Sequence, residues 1–381
     1  MSDIDKRILI TGARAPCALH LARCLAVAGH QVWLADSLAF PLARATKMAA
    51  GYVRLPSPRG QLAAYGAAVK SACEQHRIDL VLPTCEEVFH LAAVRDLLDL
   101  DLPLLAPDFA LLKKAHDKFT FTQMAQGFGA DPAETHLLLS AADVGRFQGK
   151  GWAFKPVWSR FGDRVLVEPD ATTLSALRPT AADPWIAQAY LPGEELCAYA
   201  AARDGNVCAL QAYRPLYRAG NGIGAGVMVE PVEDIAITQF VGGFVRSTCW
   251  TGQVSFDFRR DADGGLHVLE CNPRATTGAH FFALTDGLAR ALIDGQPATA
   301  SGKRRLGNGL AMLIYGLPQG HFAQWWRDFR TMDSLLENPV DRATAPWQAL
   351  AVAEAVWRAV AQGQGLKAAA TSDIEWNGEA F

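Results

Sequence analysis

Apolar and polar positions along the first third of this chain follow two alternating periods. Arg7-Ile-Leu-Ile-Thr11 is a short apolar run, which predicts a strand. Cys17 to Ala28 then repeats apolar residues at helical spacing and stops at Gly29. Gln31–Asp36, Tyr52–Leu55, Asp79–Pro83 and Leu102–Ala106 predict further strands, with helices over Gln61–Arg77 and Glu86–Leu98 between them. Strands separated by helices predict an open parallel sheet, because parallel neighbours need a long crossover.

The pattern changes after Pro107-Asp108. A helix is expected from Phe109 to Gln126, then strands at Gly151–Pro156, Val165–Val167, Trp185–Leu191, Leu196–Ala202 and Asn206–Tyr213. Their close succession predicts an antiparallel sheet. Beyond Ser301 the sequence predicts a strand at Leu310–Tyr315 and a helix near Trp347–Ala361, with a Trp-rich segment between them. The fold class is therefore α/β and α+β: an N-terminal open parallel sheet domain, a mixed second unit and a small C-terminal region.

Composition narrows the class without naming a chemistry. The 381 residues are 50% hydrophobic and 20% charged, as expected of a globular protein of more than one domain. A formal net charge of −3 gives no electrostatic footprint for nucleic acid. The longest apolar stretches, such as Gly309–Leu317, are too short to span a bilayer. Cys17, Cys24, Cys73, Cys85, Cys197, Cys208, Cys249 and Cys271 form no paired framework. They read as core residues in a reducing compartment. With no secretion signal ahead of the first strand, a cytoplasmic location is expected.

The chemistry concentrates in Thr251-Gly-Gln-Val-Ser-Phe-Asp257-Phe and His267-Val-Leu-Glu270-Cys-Asn272-Pro-Arg274. Residues two apart share a strand face, so Glu270, Asn272 and Arg274 are expected to point one way, with Leu269 and Cys271 toward a core. The Asp261–Gly265 turn would fold Asp257 back beside Glu270. Each residue alone suits a solvated strand end. Together, two carboxylates and an amide oxygen suit Mg²⁺ carrying a nucleotide's phosphates. Lys155, at the end of the strand closing on Pro156, and Lys118, in His116-Asp117-Lys118-Phe119, are further candidate cations.

The order of these elements resembles the ATP-grasp superfamily, as in D-alanine–D-alanine ligase and carbamoyl-phosphate synthetase. The resemblance implies a sheet domain over 1–108, a two-lobed ATP-grasp unit over 109–300 with its lid lobe about 118–190, and a C-terminal region over 301–381 packing on it. It implies ATP and Mg²⁺ as cofactors (two metal ions, with Mn²⁺ able to substitute), bound metal-side by Asp257, Glu270 and Asn272. Lys118, Lys155 and Ser159 would then meet phosphate, Gln188, Ala189, Tyr190 and Leu191 the adenine edge, and Glu195 the ribose. Arg274, Arg214 and Lys155 would serve the reaction, a carboxylate–amine ligation through an acyl phosphate. The implied partners are a small-molecule carboxylate and amine, including amino acids; no nucleic acid or membrane is expected, and a homodimer is one expected assembly.

One segment departs from the family pattern. The loop Val157–Arg164 holds one glycine where many members have two or three. The segment Gly220-Asn-Gly-Ile-Gly-Ala-Gly226 would border phosphates and acceptor. His280, Arg14, Thr84 and Glu86 are candidate linings of the co-substrate pocket. A rival reading places a nicotinamide dinucleotide on the strand, Gly12 turn, helix and Asp36 of the first domain, although GxGxxG is missing. A non-catalytic ATP-binding regulator is the third reading.

Overall fold

The computed structural model describes residues 5–159, 164–219, 224–302, 304–319, 321–339, 341 and 344–381. The first layer runs β1 (Arg7–Ile10), α1 (Pro16–Val27), β2 (Gln31–Asp36), β3 (Gly51–Arg54), α2 (Leu62–His76), β4 (Leu80–Leu82) and α3 (Glu87–Leu97). Its sheet has the order β3-β2-β1-β4 with every pair parallel. The run Leu102–Ala106 contributes only a single parallel bridge from Leu104 to Val81. Gly12 ends the first strand at φ +66, where a Cβ would lie 2.7 Å from Glu87 Oε1 and Thr84 Oγ1. Glycine is required there by both backbone and space.

The expected helix at 109–126 is two helices, α4 (Phe109–His116) and α5 (Lys118–Met124). Asp117 leaves the helical conformation between them, and its side chain accepts from Thr120 N at 2.8 Å. An Asp at that position stabilises a new start better than a continuous helix.

β5 (Asp131–Pro132) joins the edge of a larger sheet, and a small antiparallel sheet follows, from β6 (Thr135–Leu138), α6 (Ala141–Val144), β7 (Trp152–Pro156), β8 (Leu166–Val167), α7 (Ala171–Ala176) and β9 (Trp185–Ala189). The strands of the small sheet pair in the order β6-β9-β7-β8. The large sheet is built by β10 (Glu194–Arg203), β11 (Asn206–Arg218), β12 (Gly226–Val232), α8 (Ile235–Ser247), β13 (Gly252–Arg260) and β14 (Leu266–Asn272). α9 (Leu288–Asp294), β15 (Leu306–Gly307), α10 (Gly309–Ala311), α11 (Phe322–Thr331), β16 (Asp333–Ser334), α12 (Thr344–Gln362) and α13 (Leu366–Ala369) complete the chain.

Strict alternation along β10 sorts the large sheet's two faces. Cys197, Tyr199 and Ala201 join the core shared with α1, while Leu196, Ala198, Ala200 and Ala202 join the core under α8 and α5. Phe121 of α5 belongs to this second core. Lys118 therefore rides on a helix of the large sheet's layer, outside the small sheet.

The run Leu310–Tyr315 is helical instead of extended. Asn308 caps its start by accepting from Ala311 N at 3.1 Å. Of its large apolar residues Met312 is buried, while Leu313, Ile314 and Tyr315 stay exposed. A short apolar run does not distinguish strand from helix by periodicity, and here the cap decides.

Candidate active site

Asp257 and Glu270 face each other across β13 and β14 at a break in register. Asp257 pairs with Glu270, but Phe258 pairs with Val268, which leaves Leu269 as the extra residue of a β-bulge. Val268 and Cys271, three apart, both enter the core, whereas Leu269 is half-buried and outside it. The expectation that Leu269 and Cys271 share a face fails because the bulge resets the alternation. The same bulge turns Glu270 toward Asp257.

Two lysines converge on this carboxylate. Glu270 Oε2 lies 3.4 Å from Lys118 Nζ and 3.8 Å from Lys155 Nζ. Lys118 and Lys155 are only 3% and 7% exposed, so their charges are placed where water screens them poorly. Burial alone would push the Glu270 carboxyl up, but the two ammoniums more than offset it and hold it low. Burial, followed by the repulsion of Glu270 and Glu195, pushes Asp257 up. Burial also draws Lys155 down to about 8, Glu270 opposing that shift and Lys118 adding to it.

Asn272 Nδ2 donates to Asp257 Oδ2 at 3.0 Å, and its Oδ1 accepts from Arg274 Nη2 at 3.2 Å. Arg274 Nε lies 3.8 Å from Glu86 Oε1 of the first domain. The set fits a hard divalent cation. Asp257 is crowded by negative charge, and a cation would relieve that crowding. Among the described residues no three His, Cys, Asp or Glu side chains gather into a cage. Two carboxylates and one amide leave other positions for phosphate oxygens and water, as Mg²⁺ prefers.

The small sheet is fastened to this end through Gln188. Its buried side-chain amide donates to Thr135 Oγ1 at 3.1 Å and to the carbonyl of the bulged Leu269 at 3.2 Å. The next N–H groups are also engaged, Ala189 with Glu134 O and Tyr190 with Gly151 O, both at 2.8 Å. Gly193 follows at φ +149, where a Cβ would meet Arg260 O at 2.0 Å. Leu191 is half-buried beside this turn. Glu195 is ion-paired with Arg218 and, at 3.5 Å, with Arg259.

No protein-family model matches the sequence, and no curated protein matches it. Solved structures do match its fold. L-amino acid ligase from Bacillus licheniformis aligns with a TM-score of 0.59 at 16% identity, over 80% of this chain and 79% of that one. N5-carboxyaminoimidazole synthetase from Staphylococcus aureus, complexed with ADP, gives 0.63 at 14% identity, over 82% and 86%. The biotin carboxylase domain of Hydrogenobacter thermophilus 2-oxoglutarate carboxylase, holding MgADP, ADP and bicarbonate, gives 0.55 at 14%, over 72% and 65%. The chain has the ATP-grasp fold.

On this ATP-grasp frame the remaining candidates separate. Arg214 is not with the others. It is exposed and pairs with Glu194 at 2.7 Å and with Glu230. Its neighbours Tyr213 and Pro215 line a cavity that Asp257, Glu270 and Arg274 also line, so strand alternation turns Arg214 to the other face. Arg218 lines that cavity in its place. Register breaks between Pro215 and Tyr217 and between Tyr217 and Arg218 bring Arg218 round. Unbroken alternation would have kept 214 and 218 together, so only the bulge-prone Pro215 hinted at the exchange.

Ser159 presents its carbonyl to Lys118 Nζ at 2.6 Å, while its hydroxyl donates to Pro156 O at 3.1 Å. Of the expected phosphate loop, Arg160–Asp163 lie outside the described residues, as do Gly220–Ile223 of the glycine-rich segment. Thr84 and Arg14 line the cavity, but Thr84 Oγ1 donates to Thr11 O at 2.7 Å. Arg14 is spent on Asp36 (2.6 Å), Asp373 (2.7 Å), Ser37 and Ala370 O. The dinucleotide reading thereby loses its ribose acid, since Asp36 is held by Arg14. His280 also lines the cavity, with its ring 4.8 Å from that of His20.

What the sequence did not signal is the contribution of the C-terminus. Ala351, Ala355 and Arg358 of α12 form part of the cavity wall. Glu354 accepts from the N–H groups of Ala39 and Phe40, each at 2.8 Å, which docks α12 on the first domain. No local motif marks this helix, because its docking depends on Glu354 meeting positions more than 300 residues away.

Proposed function

We propose that this protein is an ATP- and Mg²⁺-dependent carboxylate–amine ligase. The observation that carries the reading is the convergence of Lys118 and Lys155 on Glu270, with Asp257 opposite and Asn272 bonded to it. Paired buried ammoniums beside a cluster of hard oxygen donors form a receptor for a metal-bound polyphosphate. The ATP-grasp fold supports it.

Asp257, Glu270 and Asn272 would hold the metal, which when bound neutralises charge on the phosphates. Lys155 and Lys118 would leave Glu270 partly for the incoming phosphates, and Arg274 would face the acceptor carboxylate. A carboxylate oxygen attacks the γ-phosphorus, the bond to the ADP oxygen breaks, and an acyl phosphate forms. The amine nitrogen then attacks the acyl carbon. The C–N bond forms, inorganic phosphate leaves with its oxygen, and the amine gives up a proton. No nucleophilic side chain is needed. The cavity thiols agree, since burial pushes Cys17 up to about 12 and Cys85 and Cys197 well above their ordinary value. Tyr190 and Leu191, past the last paired residue of β9, would read the adenine edge, and Glu195 would meet the ribose.

The test supplies ATP, Mg²⁺, a carboxylate panel and hydroxylamine, and measures hydroxamate and ADP together. The ligase reading expects equimolar products that vanish in Glu270→Ala. ADP without hydroxamate across the panel would contradict it.

A further inference from the structure

Resting on the ligase reading, we infer that the acid this enzyme activates carries a bulky apolar body, housed under helix α12. A cavity of about 530 Å³ opens from the Asp257, Glu270 and Arg274 end and runs between the first domain, the large sheet and the C-terminal helices. That is the size of a site for a drug-sized ligand. Even with the Asp257, Glu270 and Glu195 end given to metal and nucleotide, an acid as small as bicarbonate or glycine leaves the part beside Ala351 and Ala355 without a partner.

The walls away from the metal end are apolar on three sides. The first domain supplies Pro16, Cys17, Leu38 and Leu42, the large sheet supplies Tyr213 and Val227, and α12 supplies Ala351 and Ala355. The charges at this end are paired with one another, apart from the Nε of Arg358, which is buried without a hydrogen-bond partner among the described residues. Arg14 spends its donors on Asp36, Asp373, Ser37 and Ala370 O, and Arg358 lies 3.1 Å from Asp373. A phosphate or second carboxylate on the substrate would meet Arg14 and Arg358 already neutralised by Asp36 and Asp373, with the Arg358 Nε as the one donor left over among the described residues, whereas an apolar body displaces only water. The room exists because the α12 wall carries nothing beyond Cβ at Ala351 and Ala355. A larger residue there fills the chamber from the side opposite the metal.

The experiment measures ADP release with ATP, Mg²⁺ and ammonia or glycinamide as amine, comparing 3-phenylpropanoate and L-phenylalanine with acetate, glycine and bicarbonate. Wild type should show a KM for the bulky acids at least tenfold below that for the small ones. Ala355→Phe should raise the bulky-acid KM at least tenfold while leaving the calorimetric Kd for MgATP unchanged. Ala351→Phe serves as a second variant should the first not fold. Turnover confined to the small acids, or a bulky-acid KM unmoved in either folded variant, overturns the inference. Should MgATP not bind at all, the ligase reading fails by itself. Direct titration of 3-phenylpropanoate then decides the chamber, with uptake lost in Ala355→Phe supporting it and no uptake by wild type overturning it.

Discussion

Asp257 and Glu270 sit opposite one another on neighbouring strands, and the structure gives them opposite proton affinities. Glu270 is held low by two ammoniums, while Asp257 is pushed up by burial and by its acidic neighbours. The pair carries strain in the absence of a cation that a bound cation would relieve. Asp257→Asn is therefore expected to raise the stability of metal-free protein by about 1 kcal/mol, as a buried like-charge repulsion is removed. The same variant should lose the thermal shift that MgATP gives to wild type. Melting curves with and without MgATP check both signs.

Arg214 and Arg218 make a paired test of the site's boundary. Arg214 faces away from the cavity in exposed ion pairs, worth about 0–1 kcal/mol. Arg214→Ala should leave kcat and KM within about twofold. Arg218→Ala strips the cavity-side partner from Glu195 and should raise the KM for ATP by about tenfold, equivalent to about 1.4 kcal/mol. Steady-state kinetics on the two variants would expose an error if their effects were reversed.

The C-terminal segment is clasped to the first domain by Asp373, which bonds Arg14, Ser37 and Arg358. Burial alone would push this carboxyl up, but the two guanidiniums and the hydroxyl more than offset it and hold it well below the usual range. A carboxyl depressed in the folded state adds stability that is full above the ordinary Asp value near 4. That stability is lost as pH falls further. Asp373→Asn should cost about 3–5 kcal/mol at pH 7, as for breaking a buried pair, and should flatten acid unfolding below pH 4. Denaturant melts at pH 7 and pH 3 measure both.

His20 shifts the same way for the opposite chemical reason. Its ring contacts the Phe282 carbonyl at 2.9 Å, and burial draws its pKa down to about 4. The unfolded chain takes up this proton near 6.5 and the folded chain resists it, so stability is full above 6.5. It declines as pH falls from 6.5 to about 4 and then levels off. The span is worth on the order of 3 kcal/mol. His20→Gln should remove most of that slope, which a series of melts across the window would reveal. His90 and His280, also drawn low by burial, add to the wild-type slope.

Much of this was readable from sequence where the signal is local. The parallel sheet followed from alternating strand and helix runs, and the acidic strands followed from the side-chain types at Asp257, Glu270 and Asn272. What escaped reading depends on departures from regular geometry. The bulge at Leu269 and the register breaks after Pro215 each shift a face by one residue, which reverses the inward or outward sense of everything beyond. Helical periodicity on both sides of Asp117 hid the break there. The roof formed by α12 had no signal, since alanines at helical spacing read equally well as any buried face.

Trp376 ties the C-terminal segment to the stretch that follows β7. It is 1% exposed and packs on Trp158, with ring centroids 5.0 Å apart, next to the Ser159 carbonyl that holds Lys118. Trp376→Ala should cost about 3–5 kcal/mol of stability. Where the protein remains folded at lower temperature, the KM for ATP should also rise.

The most direct measurement is calorimetric titration of ATP into wild type and Glu270→Ala, each with and without Mg²⁺. The account predicts that wild type binds ATP at least tenfold more tightly with the metal, and that Glu270→Ala shows no such dependence. Equal affinity with and without Mg²⁺ in wild type, or an undiminished metal effect in the variant, would contradict it.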